Sequence, residues 1–424
     1  MALLAERVRL LENSSIRRMF DEAARRPDAA NLTLGQPDFD ALPATRSAAL
    51  RHLRSAEPAS HGAGLLSLRR AVSVKLRERN GIPAKPDTVL ITPGVTAGIQ
   101  LLCLALFQPG DEVLVPDPYF AVYPHALRLA GATSVPVDTY PDFCPRASAL
   151  RRHLTERTKA LILNSPNNPT GAVYPERELK RIARFAGANG LLVVSDEIYE
   201  PFVFEGKHAS IGAYHEDTLT LNGFSKSAGV PGWRIGYAAG PPAVISGMRR
   251  LQELTCMRIP AFAQKAMVTS LAESCAQHAE RYRMRRNHLW RALSGMYKLM
   301  RPRGAFYAFP EAPGGNGDEF ALHALDEGVV VVPGSAFSAR NTHFRISFSG
   351  IDLAAGIEAL RRLSAKNVEE PLGRIADNPR HDGEAVRNAD DKAAEMTPDR
   401  GFAANHLYTK KRREVPWRTS GRGR

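Results

Sequence analysis

The 424-residue sequence predicts an α/β fold: a three-layer α/β/α domain built on a mainly parallel sheet, with a smaller α+β domain beside it. Three observations predict it. Between about Val89 and Tyr237, short apolar runs alternate with stretches of helical periodicity. Those runs are apolar on both faces, as parallel strands covered by helices on either side must be. After about Pro241 the rhythm changes to long helices, three short strands and a closing helix. Length agrees, because a single hydrophobic core stops growing beyond roughly 250–300 residues.

The elements follow in order. "TVLIT", "DEVLVP", "ATSVPV", "KALILN", "GLLVVSD", "DTLTLN" and "RIGYAAG" read as seven strands. Between them, "TAGIQLLCLALF" and "PERELKRIARFAGANG" have helical period, the second ending on a glycine C-cap signal. Past Pro241, "AQHAERYRMRRNHLWRALSGM" reads as a long helix, "GAFYAF", "GVVVVPG" and "HFRISFS" as strands, and "DLAAGIEALRRLSAK" as the last helix. The domain boundaries this implies are a segment 1–45 that joins the small domain, a large domain over 46–245, a small α+β domain over 246–366, and a tail over 367–424. The tail has mixed charge, several prolines and almost no periodic apolar face, a composition that cannot bury enough surface to order itself.

Composition narrows the function classes. Hydrophobic residues make up 44% and charged residues 24%, ordinary for a globular protein, and no run approaches the roughly 18–20 apolar residues of a membrane span. The start, "MALLAERVRL", carries Glu6, Arg7 and Arg9 within its apolar pattern and makes a poor signal peptide. Four scattered cysteines, Cys103, Cys144, Cys256 and Cys275, show neither a CxxC pair nor metal-ligand spacing, so a reduced, cytoplasmic protein without a metal is expected. The formal charge of +13 raises the question of nucleic acid. However, 45 of the 57 basic residues are Arg, a skew that GC-rich coding produces without a partner, and the charge is spread along the chain. The one cluster, "KKRR" at Lys410 to Arg413, lies in the tail. Nucleic acid is therefore not an expected partner.

In open α/β sheets, ligands collect beyond the carboxyl ends of the strands, and here those ends carry chemistry. "LNSPNNPTG" brings Asn168 in a turn after "KALILN"; "LLVVSDEIYE" ends at Asp196 with Tyr199 three residues on; "DTLTLNGFSK" brings Lys226. A carboxylate leaving an apolar strand needs a cationic or donor partner; Asp196 read alone serves equally as a structural turn cap. Together, an amide, a carboxylate, a phenol and an amine converge at one sheet edge. A lysine amine shielded from water suits a Schiff base with an aldehyde cofactor, and a carboxylate suits a protonated pyridine nitrogen. Arg234 and the backbone N–H groups of Val95 and Thr96, in "TPGVTAGI", supply phosphate donors. Phe120, in "DPYFAVY", is placed to stack on a flat ring.

On the motifs "LGQPDFD", "NSPNNPTG", "SDEIY", "SKSAGVPGWRIGY", "GAFY", "VVPGSAF" and "FRISF", the chain resembles the class I/II aminotransferases, the aspartate-aminotransferase-like enzymes of fold type I that use pyridoxal 5′-phosphate. The resemblance runs from about "SSIRRMF" to "EALRRL" and excludes the tail. It implies that Lys226 is the Schiff-base lysine and proton carrier, that Asp196 pairs with the pyridine nitrogen, and that Asn168 and Tyr199 bond the ring hydroxyl. It implies further that Phe120 stacks on the ring, that Val95, Thr96, Ser225 and Arg234 surround the phosphate, and that Arg345 and Gly35 receive the substrate α-carboxylate. A homodimer with shared active sites is also implied. Three positions depart from the family pattern: Ser165 stands where a proline is usual, Gly223 where a serine is frequent, and Ala59 where a tyrosine reaches the partner's phosphate.

The reaction expected is ping-pong amino transfer between an amino acid and a 2-oxo acid. Relatives with the same residues also catalyse β-elimination, so a C–S β-lyase is the alternative, and a non-catalytic pyridoxal-phosphate-binding regulator is a second. Some relatives place a lysine where Thr96 stands, to select a second carboxylate. Its absence favours neutral or aromatic amino donors, with 2-oxoglutarate as the acceptor.

Overall fold

The computed structural model of the chain describes residues 24–54 and 61–369, with scattered positions before residue 24. A two-residue strand, β1 (Ala30–Asn31), comes first. The seven apolar runs then become β2 (Val89–Thr92), β3 (Glu112–Asp117), β4 (Thr133–Asp138), β5 (Thr158–Asn164), β6 (Leu192–Asp196), β7 (Thr218–Gly223) and β8 (Gly236–Ala239). All seven join one sheet in the order β2-β8-β7-β6-β5-β3-β4. Its pairings are parallel except those of β8, which runs antiparallel to both β2 and β7.

Apart from the edge strand β4, where Val137 alone is buried, the sheet is buried on both faces because its strands are apolar at successive positions. Val113, Val115, Ala160, Ile162 and Val194 pack into a core with Ile99, Leu102, Tyr123, Leu127 and Met248, from the helices Gly94–Leu106, Val122–Leu129 and Pro242–Thr255. The intervening Leu114, Leu161, Leu163 and Val193 pack on the other face with Leu179, Ile182 and Phe185 of the helix Glu176–Ala188. Period-two alternation thus persists, but both sets of side chains are apolar.

Beyond Pro241 the strands are short: β9 (Tyr307–Ala308), β10 (Val329–Val330), β11 (Val332–Pro333) and β12 (Phe344–Ser347). The sequence reads "GVVVVPG" as one strand. The chain instead changes partner at Val331: β10 pairs in parallel with β1, while β11 pairs antiparallel with β12, which also pairs with β9. The β1–β10 pair ties the N-terminal segment to this region, and Ala30 and Leu32 share a core with Tyr282, Leu289, Phe320, Phe344 and Leu360. The helix Ala276–Leu293 buries Tyr282, Arg286, Leu289 and Leu293, a four-three-four spacing that makes one face. The last helix, Leu353–Glu369, runs past Asn367, and the rest of the expected tail lies outside the described residues. No described helix is long and apolar enough to cross a membrane.

Candidate active site

The carboxyl ends of β5, β6 and β7, the first turn of the helix Gly94–Leu106 and strand β12 surround a cavity of about 290 Å³. Every residue the sequence nominates lines it: Gly35, Val95, Thr96, Phe120, Asn168, Asp196, Tyr199, Ser225, Lys226, Arg234 and Arg345.

Lys226 sits on the turn that follows β7, and its Nζ donates to the backbone carbonyl of Gly35. The ammonium lies 5.8 Å from the ring centroids of both Tyr199 and Phe306. Burial, then the nearby guanidinium groups of Arg234 and Arg345, depress its pKa to about 8, with Asp196 opposing. A lysine so placed is neutral to about a tenth near neutral pH, far more than an exposed lysine, and can act as nucleophile or base.

Asp196 ends β6 at 1% exposure. One carboxylate oxygen accepts the Tyr123 hydroxyl at 2.8 Å and the other the backbone N–H of Ile198 at 3.2 Å. Burial raises its pKa to about 6 despite these bonds; Glu197 adds to the shift and Lys226 subtracts. A buried carboxylate poised in this way gains from a cationic partner arriving in the cavity.

Arg345, in the middle of β12, is buried. Its Nη1 donates to Asn168 Oδ1 at 3.0 Å and its Nη2 to the Thr33 carbonyl at 2.7 Å, while Nε is buried without a partner among the described residues. The rings of Tyr307 and Phe337 flank the guanidinium at 4.6 and 4.7 Å. The result is a planar fork held by packing and by two bonds, with donor capacity left over.

The phosphate-type end is built from backbone. Gly94 opens the helix Gly94–Leu106 at φ +79°, and a Cβ there would come within 2.8 Å of Arg234 Nη2. Only glycine lets the guanidinium approach the helix N-terminus so closely, where unpaired N–H groups and the helix dipole favour an anion. Arg234 itself has φ +51° and donates to the Pro231 carbonyl at 3.0 Å. At Gly223, a Cβ would meet the Gly236 Cα at 3.1 Å and the Ile235 carbonyl at 3.2 Å, so a serine would crowd β8. Ala59 lies outside the described residues.

Pyridoxal 5′-phosphate fits this donor set. A dry carboxylate, a primary amine of lowered pKa, a guanidinium at a helix N-terminus and the Phe120 ring correspond in kind to its ring nitrogen, aldehyde, phosphate and π-face. The orphaned Arg345 Nε adds unused donor capacity for a carboxylate.

Sequence reasoning missed three contributors. Tyr123 donates to Asp196; Asn164 accepts the Asn168 N–H at 2.8 Å and donates to the Asp196 carbonyl at 3.0 Å; Tyr307 shares a 2.7 Å hydrogen bond with Tyr199. Tyr123 stands three residues after Phe120, a helical spacing that could have nominated it, and Tyr307 ends the motif "GAFY". The expected pairing of Asn168 and Tyr199 with a ring hydroxyl is not their present engagement, which is with Arg345 and Tyr307. Elsewhere, ligand-type atoms of Glu197, Glu200 and His208 come within 4.8 Å of one another, but Lys75, Ser210 and Asn222 already engage the two carboxylates.

Residues 27–363 match the family model described as aminotransferase class I and II. The aspartate/prephenate aminotransferase of Thermus thermophilus is 40% identical over 335 residues, covering 76% of this chain and 87% of that protein. The aromatic-amino-acid aminotransferase 2 of Thermococcus litoralis is 37% identical over 364 residues, covering 82% and 94%. Among solved structures, a single mutant of Thermus thermophilus aspartate aminotransferase superimposes with a TM-score of 0.82 at 37% identity, over 86% of this chain and all of that one.

Proposed function

From the premise that this chain belongs to the class I and II aminotransferases and is a pyridoxal 5′-phosphate-dependent transaminase, we propose a division of labour among its residues and a substrate class. When bound, the cofactor supplies an aldehyde that takes up an amino group and a ring that accepts the electron pair left at the substrate Cα. Arg234 and the N–H groups of Val95 and Thr96, with Ser225, hold its phosphate, and Phe120 covers its ring. Asp196 holds the proton at the ring nitrogen, and Tyr123 and the Ile198 N–H keep the carboxylate oriented. Arg345 binds the α-carboxylate of the amino acid, with Asn168 and the Thr33 carbonyl fixing its plane and the Gly35 backbone facing the same group. Lys226 Nζ, as the free amine, would take the Cα proton and return it, and Tyr199 would shape its approach. The observation that carries this reading is the depressed pKa of Lys226 in a cavity that also holds a buried Asp196.

The donor proposed is a neutral or aromatic amino acid, with 2-oxoglutarate as acceptor. Among the described residues lining the cavity, the cations are Lys226, Arg234 and Arg345, each already given a task, and Thr96 adds no charge; Tyr199 and Tyr307 add aromatic surface. The test is the visible spectrum of the cofactor-loaded protein as single amino acids are added. Rapid bleaching by phenylalanine or tyrosine, recovered by 2-oxoglutarate, is expected. Faster bleaching by aspartate overturns the substrate class, and release of pyruvate or ammonia favours a lyase. The names of the relatives carry amino transfer and give no support to the lyase or regulatory alternatives.

The proposal extends to a homodimer in the cytoplasm, serving amino-acid biosynthesis. Leu50, Leu53, Leu254 and Met257 are exposed apolar side chains, Leu254 at 84%, and such residues support a subunit interface. Four free cysteines, two of them buried, suit a reducing compartment. Light scattering that gives a monomer mass would remove the dimer. We also keep the division into a large domain over 46–245 and a small one over 246–366, and its check is limited proteolysis near residue 245.

A further inference from the structure

Asp196 and Glu197 are consecutive, and each is only 1% exposed. Asp196 lines the cavity, whereas Glu197 is engaged elsewhere: its Oε1 accepts Ser195 Oγ at 2.9 Å, and its Oε2 contacts His208 Nε2 at 2.9 Å and accepts Ser210 Oγ at 2.6 Å. Ser210 also accepts Asn80 Nδ2 at 2.8 Å, which links this group to Glu200. Glu200 accepts Lys75 Nζ, Asn80 Nδ2 at 3.2 Å and Asn222 Nδ2 at 2.7 Å, and Asn222 Oδ1 accepts the Gly223 N–H at 2.7 Å. The network therefore joins the helix Leu66–Asn80, the end of β6 and the end of β7, three residues before Lys226. It contains two carboxylates and one permanent cation, Lys75. It is electrically balanced only when His208 is an imidazolium. A second cavity, of about 490 Å³ and lined by Lys75, Glu200, His208 and Asn222, reaches the network from outside the candidate active site and gives the imidazole a route for proton exchange.

Two adjacent carboxylates in a low-dielectric site resist being ionised together. Whatever neutralises Glu197 therefore decides how readily Asp196 ionises. We propose that His208 is a positioning residue for amino transfer: as an imidazolium it cancels the charge of Glu197, and so lets Asp196 face the cofactor ring as a carboxylate rather than a carboxylic acid. This rests on the role given to Asp196 above. The charged and titratable groups facing Asp196 are Tyr123, Tyr199, Lys226 and Glu197; those facing His208 are Glu197, Glu200 and Lys75. Burial works against the imidazolium, but Glu197 and Glu200 outweigh it and raise the His208 pKa above its ordinary value. When His208 loses its proton, the uncompensated charge of Glu197 pushes Asp196 toward its acid form, which accepts a hydrogen bond from a protonated ring nitrogen more weakly and offers its charge no counter-ion.

The test follows carboxyl and imidazole titrations by ¹³C and ¹⁵N NMR in the cofactor-free protein, with Asp196 assigned from the signal lost in Asp196→Asn. In the unaltered protein His208 is expected to titrate above the ordinary imidazole range; titration at or below that range overturns the proposal without any variant. His208→Gln is expected to raise the Asp196 midpoint by about one pH unit and Glu197→Gln to lower it by a similar amount, the scale of one buried charge at close range. The double variant should return close to the starting value. Shifts of the same sign, or no shift in either variant, overturn the proposal, since structural damage has no reason to give opposite signs. The cofactor-loaded protein separates this inference from the reading it rests on. Asp196 midpoints that move as expected in a protein that forms no visible cofactor band sink the cofactor role and leave the charge coupling standing. A band that forms while the Asp196 midpoints stay fixed sinks the coupling alone.

Discussion

Two charge clusters sit at the carboxyl ends of β6 and β7, and they are satisfied in different ways. Facing the 290 Å³ cavity, the cations Lys226, Arg234 and Arg345 stand around a single carboxylate, Asp196. The Lys226 pKa is pushed down, and Arg345 Nε has no partner among the described residues. On the other side, Glu197 and Glu200 are matched by His208 and Lys75 and closed by Ser195, Ser210, Asn80 and Asn222. The difference teaches which cluster awaits a ligand. An excess of positive charge around a cavity is unfavourable until an anion enters, whereas the charges of the second cluster cancel once His208 is protonated, so that cluster holds the fold and, through His208, sets the charge on Asp196.

The contrast breaks most visibly at the two lysines. Lys226→Ala is expected to slow bleaching of the cofactor band by amino acids by about 10⁴-fold, the upper range for a lost acid–base group, and to leave the unfolding midpoint unchanged or raised. Lys75→Ala should do the reverse. Removing one partner of a buried pair costs about 3–5 kcal/mol, read by urea unfolding of the cofactor-free protein, while the single-turnover rate stays within a few-fold of the original. If Lys75→Ala stops the chemistry while stability holds, the division between the clusters is wrong.

Arg345→Lys sharpens the comparison within the cavity. A point charge cannot reproduce two bonds in one plane, so kcat/KM for amino donors should fall about 10²-fold with little change in the spectrum of the bound cofactor. Equal losses for an amine lacking the carboxylate would show that the arginine does something else.

The smallest effect concerns pH. Burial raises the folded-state pKa of Asp196 to about 6, above the ordinary carboxylate value of 3.8, so the native cofactor-free protein binds this proton more tightly than the unfolded chain. The stability so contributed is present in full below the ordinary carboxylate range and is lost as pH rises through about 6. Between pH 7 and pH 5, the native protein should gain about 1 kcal/mol relative to Asp196→Asn, measured by urea unfolding of both. A difference of the opposite sign would mean that Asp196 is better compensated than its contacts show.

Much of this was legible in the sequence. Each of the seven apolar runs between Val89 and Tyr237 became a strand of one sheet, since strand period and two-sided burial are local properties of "KALILN" or "LLVVSD". Asp196 was found because it terminates such a run, and Asn168 and Lys226 because they stand in the turns just after two others, where a polar side chain is conspicuous. "GVVVVPG" shows where local reading stops: four buried valines cannot tell which strand they pair with, and the change of partner at Val331 depends on β1 and β12, far away in the chain.

The sequence by itself determined the strands, the edge at which the reactive groups gather, and the kinds of group present. Tertiary structure alone decided their electrical state. Asn168 meets Arg345 across 177 positions and Lys75 meets Glu200 across 125. Asp196 sits beside Tyr123, and Glu197 beside His208, through the packing of separate elements. The reason is physical: hydrophobic period and turn preference act between near neighbours along the chain. The ionisation of a buried carboxylate depends instead on every charge within several ångströms, and which charges those are is known only once the chain has folded.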